Sequence, residues 1–352
     1  MSIRGDFDHL PVIDISGMYS ENLSIKKKAA EQLGDAARQS GFFYITGHRI
    51  ESSLRLALIK QAKSFYAQPL TEKMQNYIGN SIAHRGYVPE GEEIYDPDIK
   101  DKKEAFDIGL DLALDDDEVL AGTPMHGPNV WPNLESFKEE VSYYYAEVMA
   151  LGRILFHAFA LALDLPEDYF DTFLKKPTSQ LRLIHYPYDP ACKDGRGIGA
   201  HTDYECFTIL FSTAPGLEVM NAKGEWIDAP PIKDAFIVNI GDMLEIWTGG
   251  AFVATTHRVR KVSEERYAFP LFIACDYHTK VAPLAPLASD QVCQQYPAID
   301  AGAHLYAQTA QTFNYLMQQL AIGKLALPKG SKPVASFGQE AKLNKALNKS
   351  PS

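Results

Sequence analysis

The sequence predicts a mainly β fold with flanking helices, in which a strand-rich half closes into a barrel. Two observations favour this class. Apolar residues recur at helical spacing in the first half of the chain, whereas short apolar segments separated by turn-forming residues follow from Gln180 onward. A strand-rich segment that closes on itself leaves no exposed sheet edge, so a barrel is the expected form of the second half.

Helices come first along the chain. Residues 24–40 and 51–67 show the apolar spacing of helices, and Leu134–Leu163 predicts a long, mostly buried helix. Pro166 ends that helix, because proline cannot continue a helix interior. Arg153 and two further polar residues interrupt the apolar run, which favours a core helix over a membrane span.

Short strands follow, bounded by residues that form turns. The predicted strands are Leu181–Tyr186, Cys206–Phe211, Leu217–Met220, Ala235–Ile240, Phe252–Thr256 and Ala268–Tyr277. Gly216, Gly224 and Gly241 lie between them, where the chain must turn. Residues 302–320 return to a helical pattern.

A His-X-Asp triplet and a distant histidine form the most informative pattern in the chain. Because side chains alternate along a strand, His201 and Asp203 are expected to point the same way, with Thr202 on the other face. A neighbouring strand can supply His257 as a third ligand. Two imidazoles and one carboxylate on one face of a metal leave positions open for O2 and an organic ligand, as in non-haem Fe(II) oxygenases.

Arg266 follows His257 by nine residues. This spacing is consistent with two antiparallel strands joined by a short turn around Ser263–Glu265. The turn would direct the guanidinium into the cavity that holds the metal. A buried guanidinium needs a carboxylate partner that matches its fork geometry.

These motifs resemble the isopenicillin N synthase-like family of Fe(II)/2-oxoglutarate-dependent oxygenases, from about Leu10 to about Leu320. Motifs agree with the family in order and spacing at Pro11–Ile15, Ser40–His48, Lys103–Gly109 and Leu183–Tyr188. The resemblance implies a double-stranded β-helix, or jelly-roll, core with the metal at its open end.

The resemblance also implies the role of each candidate site residue. His201, Asp203 and His257 would be the catalytic Fe(II) ligands. Arg266 would hold the distal carboxylate of 2-oxoglutarate, and Tyr186 would donate a hydrogen bond to a cosubstrate oxygen. The implied reaction consumes O2 and 2-oxoglutarate, releases succinate and CO2, and oxidises a small-molecule metabolite, with hydroxylation as the default outcome.

Departures from the family pattern leave two alternatives open. Ala268 stands where the family's Arg-X-Ser motif has a serine, so one hydrogen bond to the cosubstrate is missing. The segment Ile184–Tyr188 is also similar to isopenicillin N synthase, which uses O2 without 2-oxoglutarate. Relatives of the ethylene-forming type resemble the chain in Arg85–Val88 and in Thr248–Gly250. An oxidase without a cosubstrate and an ethylene-forming enzyme therefore remain alternatives.

The substrate is expected to contact a loop over the mouth of the barrel, from about Ala83 to Pro97. This loop carries both signs of charge beside aromatic rings, which suits an amino-acid-like or carboxylated molecule. The candidate substrate residues are Arg85, Tyr87, Glu93 and Tyr95.

The resemblance and the composition together predict four stretches within one globular unit. Residues 1–175 form a mainly helical region, 176–285 the jelly-roll oxygenase core, 286–326 a C-terminal helix and 327–352 a mobile, lysine-bearing tail.

Net charge and cysteine content indicate which partners and which cellular location to expect for the protein. The net charge of −11 argues against nucleic acid and anionic membranes as partners, because both need a basic surface. The N-terminus lacks the apolar segment of a signal peptide. The four cysteines are widely spaced and fit reduced thiols, so a cytoplasmic location is expected. Oligomeric state does not follow from the sequence.

Overall fold

The computed structural model of the chain describes residues 6–94, 101–188, 197–260 and 262–332. Its strands are β1 (Val12–Asp14), β2 (Phe42–Thr46), β3 (Gly86–Val88), β4 (Glu104–Gly109), β5 (Gln180–Tyr186), β6 (Ile198–His201), β7 (Phe207–Ser212), β8 (Leu217–Met220), β9 (Trp226–Asp228), β10 (Phe236–Ile240), β11 (His257–Val259), β12 (Arg266–Ile273), β13 (Lys280–Val281) and β14 (Ile299–Asp300). Its α-helices are α1 (Leu23–Gln39), α2 (Ser52–Tyr66), α3 (Leu70–Lys73), α4 (Asp117–Leu120), α5 (Phe137–Ala162), α6 (Asp242–Trp247), α7 (Asp290–Gln295), α8 (Ala301–Ala310) and α9 (Asn314–Ala321). Short 3-10 helices lie at Ser16–Tyr19, Met74–Asn76, Ile78–Asn80, Asp171–Phe173 and Ala285–Leu287.

Two sheets build the β core. The larger has the strand order β1-β2-β10-β7-β12-β5-β4-β3, and the smaller has the order β6-β11-β8-β9. Apolar side chains of both sheets meet in one buried cluster, and both sheets line a common cavity. The predicted class, mainly β with flanking helices, is confirmed.

Side chains of β12 alternate between the two faces of the large sheet. Tyr267, Phe269 and Leu271 belong to the apolar cluster that includes α1, α2 and α5. Arg266 and Ala268 line the cavity between the sheets instead. The period of two in an extended chain produces this division.

A capping residue begins α1, and a glycine connects the end of this helix to β2. The Oδ1 atom of Asn22 accepts a hydrogen bond from the Ser24 N–H at 2.9 Å and caps the helix. Gly41 follows the helix with φ +66°, and a Cβ there would lie 1.9 Å from the carbonyl oxygen of Val253. Only glycine therefore allows this close approach at the start of the sheet.

Helix α5 is long and apolar enough to cross a membrane by length and composition alone, the one such helix in the described ranges. Half of its most apolar 18-residue stretch is buried inside the protein. It contacts α1, α2 and β12. Because these contacts bury α5 in the core, its apolar composition is that of a core helix.

The structure corrects two predicted elements. Phe252–Thr256 is not a strand, because Val253 donates its backbone hydrogen bond to Ala37 at the end of α1 rather than to a sheet. Residues 302–320 do not form one helix, since α8 ends at Ala310 and α9 begins at Asn314.

The predicted antiparallel pair carrying His257 and Arg266 is also wrong. β11 belongs to the smaller sheet and β12 to the larger, so the two strands do not pair. Their side chains instead line the same cavity from the two sheets. The four predicted stretches stay a prediction, and residues 333–352 of the tail lie outside the described residues.

Candidate metal and cosubstrate site

His201, Asp203 and His257 come together at one end of the cavity. One ligand atom from each lies within 4.8 Å of the others, a spacing that suits a metal ion. Asp203 Oδ1 is 3.6 Å from His201 Nε2 and 3.5 Å from His257 Nε2. His201 is the last residue of β6 and pairs with His257 of β11, whereas Asp203 lies just beyond the strand. The predicted convergence of these three side chains is therefore present in the structure.

Hydrogen bonds orient both imidazoles toward the same point. His201 Nδ1 lies 2.8 Å from the carbonyl oxygen of Gly199, and His257 Nδ1 lies 3.1 Å from that of Thr255. A carbonyl can only accept, so each Nδ1 carries a proton, and in the neutral ring Nε2 is the atom that offers its lone pair. Burial, followed by the neighbouring His257, lowers the pKa of His201 to about 4. The ring is therefore neutral and able to bind a metal at neutral pH.

The second oxygen of Asp203 is held by neighbouring strands. Asp203 Oδ2 accepts hydrogen bonds from Thr208 Oγ1 at 2.5 Å and from Asn239 Nδ2 at 2.7 Å. Burial alone would raise the pKa of Asp203, but His257, His201 and the Thr208 hydroxyl outweigh burial and lower it. The carboxylate thus stays ionised with Oδ1 directed at the two imidazoles.

The hydroxyl of Thr208 offers a direct test of this positioning. Thr208→Val removes the hydroxyl at nearly constant shape, so Asp203 Oδ2 loses one of its two donors. Partners of this kind typically contribute about 10–100-fold in metal affinity, and we expect a loss in that range for Fe(II). Thr208→Ser keeps the hydroxyl and is the control. Equal Fe(II) affinities of the two variants in an anaerobic titration would contradict this role.

Arg266 and Tyr186 lie side by side in the same cavity. They are paired residues of β12 and β5, and the guanidinium carbon lies 4.7 Å from the Tyr186 ring centroid. Arg266 is 1% exposed, its Nε donates to the Ala214 carbonyl oxygen at 3.1 Å, and its Nη1 has no hydrogen-bond partner among the described residues. Burial raises the pKa of Tyr186, so its phenol stays protonated. A buried guanidinium with unused donors is suited to an incoming carboxylate.

A buried cluster of four charged side chains lies at a second side of the cavity, which shares Ile184 and His201 with the Arg266 side and is lined by three members of the cluster. Arg182 binds Asp107 through two nitrogens at 2.8 Å each, and its Nη1 donates to Glu93 Oε1 at 2.9 Å. Lys103 Nζ donates to Glu93 Oε2 at 2.6 Å. Although burial alone would raise the pKa of Glu93, Arg182 and Lys103 lower it. Glu93 is the one predicted substrate residue that the structure places on the cavity wall.

Two of the predicted substrate residues face away from the cavity. Arg85 is 1% exposed and donates to the carbonyl oxygens of His84 and Met125 at 3.0 and 3.2 Å. Tyr87 packs in the helix-side cluster and donates to Glu104 Oε2 at 2.6 Å. The structure therefore places neither residue on the cavity wall: Arg85 immediately precedes β3, Tyr87 lies within it, and both side chains point into the interior. Tyr95 lies outside the described residues.

Several cavity residues were not found by sequence reasoning. Three of them, Arg182, Lys103 and Glu205, are charged or titratable, and His84 is a buried imidazole. The sequence could have indicated Arg182, because a period of two in β5 places it on the same face as Ile184 and Tyr186. Burial, followed by the nearby Asp203, raises the pKa of Glu205 to about 8.

The turn after α8 also contributes to the cavity, through Thr312 and Phe313. It is tied to the loop that carries Glu93, since the N–H of Ile94 donates to the carbonyl oxygen of Thr312 at 2.8 Å. Residues far apart in the chain thus form one wall of the cavity.

Comparison with known proteins identifies the class to which this fold and site belong. Residues 10–134 match the family model described as non-haem dioxygenase in morphine synthesis N-terminal, and residues 177–274 match the 2OG-Fe(II) oxygenase superfamily. The 2-oxoglutarate-Fe(II) type oxidoreductase hxnY of Emericella nidulans is 33% identical over 302 residues, which cover 82% of this chain and 86% of hxnY. The 2-oxoglutarate-dependent dioxygenase thnC of Trichoderma harzianum is 34% identical over 288 residues, 79% of this chain and 87% of thnC.

A solved structure has the same architecture. A full-length Neurospora crassa protein in complex with alpha-KG and thymine matches with a TM-score of 0.73 at 25% identity, covering 92% of this chain and 99% of the Neurospora protein. The chain belongs to the 2-oxoglutarate- and Fe(II)-dependent oxygenases, and its core is the jelly roll of that family. It is a non-haem iron oxidoreductase that uses Fe(II), 2-oxoglutarate and O2 to oxidise a small molecule.

Proposed function

We propose that His201, Asp203 and His257 hold Fe(II) and that Arg266, with Tyr186 beside it, binds the distal carboxylate of 2-oxoglutarate. The observation that carries this proposal is the Nη1 atom of Arg266, which is buried and has no partner among the described residues. A desolvated donor of a guanidinium is costly unless an anion meets it. A dicarboxylate placed between the metal site and Arg266 satisfies that donor.

The donor set also fits Fe(II). Two neutral imidazole nitrogens and one carboxylate oxygen supply three ligands on one face and leave the remaining positions for cosubstrate and O2. When bound, Fe(II) and 2-oxoglutarate couple reduction of O2 to decarboxylation of the cosubstrate, with succinate and CO2 as products. Hydroxylation of the substrate is the reaction that we propose.

The chain's own residues prepare the site for this reaction. Tyr186 keeps its phenolic proton and can donate a hydrogen bond to a cosubstrate oxygen. Phe42, Leu210 and Val259 line the cavity around Arg266 and exclude water from the ion pair. In that dry setting the guanidinium binds a carboxylate more strongly than it would in solvent.

The substrate enters from the other side of the metal site. Ile184 and His201 belong to both the Arg266 side of the cavity and the side lined by Glu93 and Arg182. We place a small molecule on this second side, where it lies next to the metal site. The structural relative from Neurospora crassa was solved with thymine, a molecule of this size. A cytoplasmic location and the absence of nucleic-acid and membrane partners remain predictions.

An anaerobic titration tests this proposal. Fe(II) is added to the protein with and without 2-oxoglutarate, and a weak visible charge-transfer band is expected only when both are present. Succinate release is then measured after O2 is admitted. A band that forms without 2-oxoglutarate, or turnover without succinate, would favour the oxidase that needs no cosubstrate.

Ala268 gives a gain-of-affinity prediction. Its side chain lines the cavity two residues after Arg266, on the same face of β12. Ala268→Ser adds a hydroxyl that can donate to the bound carboxylate, so we expect a gain of about 1 kcal/mol, or roughly fivefold tighter 2-oxoglutarate binding. Ala274→Ser, at a buried alanine just beyond β12 and outside the cavity lining, is the control. Unchanged or weaker binding in Ala268→Ser would place the carboxylate elsewhere.

A further inference from the structure

One carboxyl group in the cavity has no described role in binding Fe(II) or 2-oxoglutarate. Glu205 lies two residues beyond Asp203, is 9% exposed, and lines the substrate side of the cavity. The backbone N–H groups of residues 204 and 205 are directed at its carboxyl and favour the ionised form. Among the described residues, no side chain forms a hydrogen bond or close ion pair with it.

The backbone at this position is held firmly. The carbonyl oxygen of Glu205 accepts a hydrogen bond from the Met243 N–H at 3.1 Å. A Cβ on Gly241 would lie 2.2 Å from the same oxygen, so glycine is required where the turn after β10 meets this loop. The backbone that carries this carboxyl is therefore held in place, which favours a selective contact.

The cations on the same wall are already paired with carboxylates. Arg182 is bound by Asp107 and Glu93, and Lys103 is bound by Glu93. Asp101 adds negative charge 4.0 Å from Lys103 Nζ. An anionic substrate would have to displace one of these buried ion pairs, which is strongly unfavourable. The sequence-based expectation of a carboxylated substrate therefore loses its electrostatic support.

Charge balance points to a cation instead. With Fe(II) and 2-oxoglutarate bound, the charges of the metal, Asp203, the cosubstrate and Arg266 cancel. The cluster of Arg182, Lys103, Glu93 and Asp107 has no excess positive charge. Among the described residues that line the substrate side, Glu205 is the acidic group that belongs neither to this cluster nor to the metal site, and a buried carboxylate is stabilised by a charged partner.

Aromatic rings complete the recognition surface. Phe272 and Tyr204 line the same side of the cavity as Glu205, whereas the Phe313 ring already faces the Arg182 guanidinium, whose carbon lies 5.6 Å from the ring centroid. The faces of aromatic rings attract cationic nitrogens, and a carboxylate beside them adds a charge-assisted hydrogen bond. We infer that the substrate carries a positively charged nitrogen, an ammonium group or a protonated amine, which Glu205 binds. This inference rests on the proposed function of the same site.

Matched ligands test the charge preference. Benzylamine, benzyl alcohol and benzoate share one ring and differ in charge, and thymine represents a neutral heterocycle. Each is titrated calorimetrically into the anaerobic protein loaded with Fe(II) and 2-oxoglutarate, so that no turnover occurs. We expect benzylamine to bind about 10- to 100-fold more tightly than the other three, as a charge-assisted hydrogen bond implies. No binding of benzylamine, equal binding of all four, or tighter binding of benzoate or thymine would overturn the inference.

Two substitutions assign the preference to a residue. Glu205→Gln keeps the size and hydrogen-bonding capacity of the side chain but removes its acidic group, so the preference for benzylamine should fall to less than about threefold. Glu139→Gln removes an exposed carboxylate of α5 outside the cavity lining and should leave the preference unchanged. An unchanged preference in Glu205→Gln, or an equal loss in Glu139→Gln, would refute the role of Glu205.

The visible band with 2-oxoglutarate separates this inference from the proposed function. An intact band in Glu205→Gln shows that the variant is folded and loaded. If the band forms in the unsubstituted protein but no charge preference is found, only the inference about Glu205 fails. If no band forms, the proposed function itself fails.

Discussion

Replacement of His201, Asp203 or His257 by alanine is expected to abolish turnover and to leave the fold largely intact. Each side chain supplies one of three ligand atoms within 4.8 Å of one another, so its loss opens the metal site. Loss of a ligand should exceed the roughly 10–100-fold cost in metal affinity that is typical of outer partners such as Thr208. Iron content and succinate release are the measurements, and circular dichroism checks the fold.

His278→Ala is the matched control, because His278 is an exposed histidine away from the cavity. It should retain iron and activity. Full iron content together with full activity in any of the three ligand variants would show that the substituted residue is not a ligand.

Asp203→Glu should fail as well, although it keeps the charge. One added methylene moves the carboxylate away from the imidazoles and away from its donors Thr208 and Asn239. A site with strict geometry cannot absorb that shift. Wild-type turnover in this variant would mean that the metal tolerates a longer ligand and that the hydrogen bonds to Asp203 do not matter.

Arg266→Ala is expected to raise the requirement for 2-oxoglutarate by about 30-fold or more, with Fe(II) binding nearly unchanged. Loss of one partner of a desolvated charge pair costs about 2–5 kcal/mol, which corresponds to this range. Arg266 is held by Ala214 and Tyr186 and makes no described contact with the metal ligands, so the effect should be confined to the cosubstrate.

Arg266→Lys separates charge from geometry. Lysine keeps the positive charge but lacks the planar fork, so 2-oxoglutarate affinity should lie between those of the unsubstituted protein and Arg266→Ala. The measurement is 2-oxoglutarate affinity from the anaerobic band, with Fe(II) affinity determined in parallel. An unchanged 2-oxoglutarate dependence in Arg266→Ala would favour an oxidase without a cosubstrate.

The chain's local patterns were sufficient for the fold class, whereas the assignment of His257 as the third ligand rested on the order and spacing of motifs along the whole chain. Short apolar segments between turn-forming residues mark strands such as β5 and β12, and helical spacing marks α1, α2 and α5. The spacing of His201 and Asp203 sets both side chains near the end of one strand. These features depend on short stretches of sequence, so they could be predicted without knowledge of the rest of the chain.

Two strand predictions were wrong because they depend on contacts with elements distant in the chain. Phe252–Thr256 has the composition of a strand, but α1 takes its backbone hydrogen bond. His257 and Arg266 are close in sequence, yet β11 and β12 belong to different sheets. Neither outcome can be derived from local propensity, because strand pairing depends on which partners the tertiary structure makes available.

The sequence by itself, through its motifs and their family resemblance, determined the jelly-roll class, the three candidate iron ligands and the arginine proposed to bind the cosubstrate. Only the tertiary structure decided the character of the substrate side. It turned Arg85 and Tyr87 into the interior, paired Arg182 with Asp107 and Glu93, and left Glu205 facing the cavity. The physical reason is that the interactions of a buried charge depend on the groups next to it in space, not on those next to it in sequence. Whether a buried arginine is available to an anion depends on carboxylates that lie up to 89 residues away in the chain.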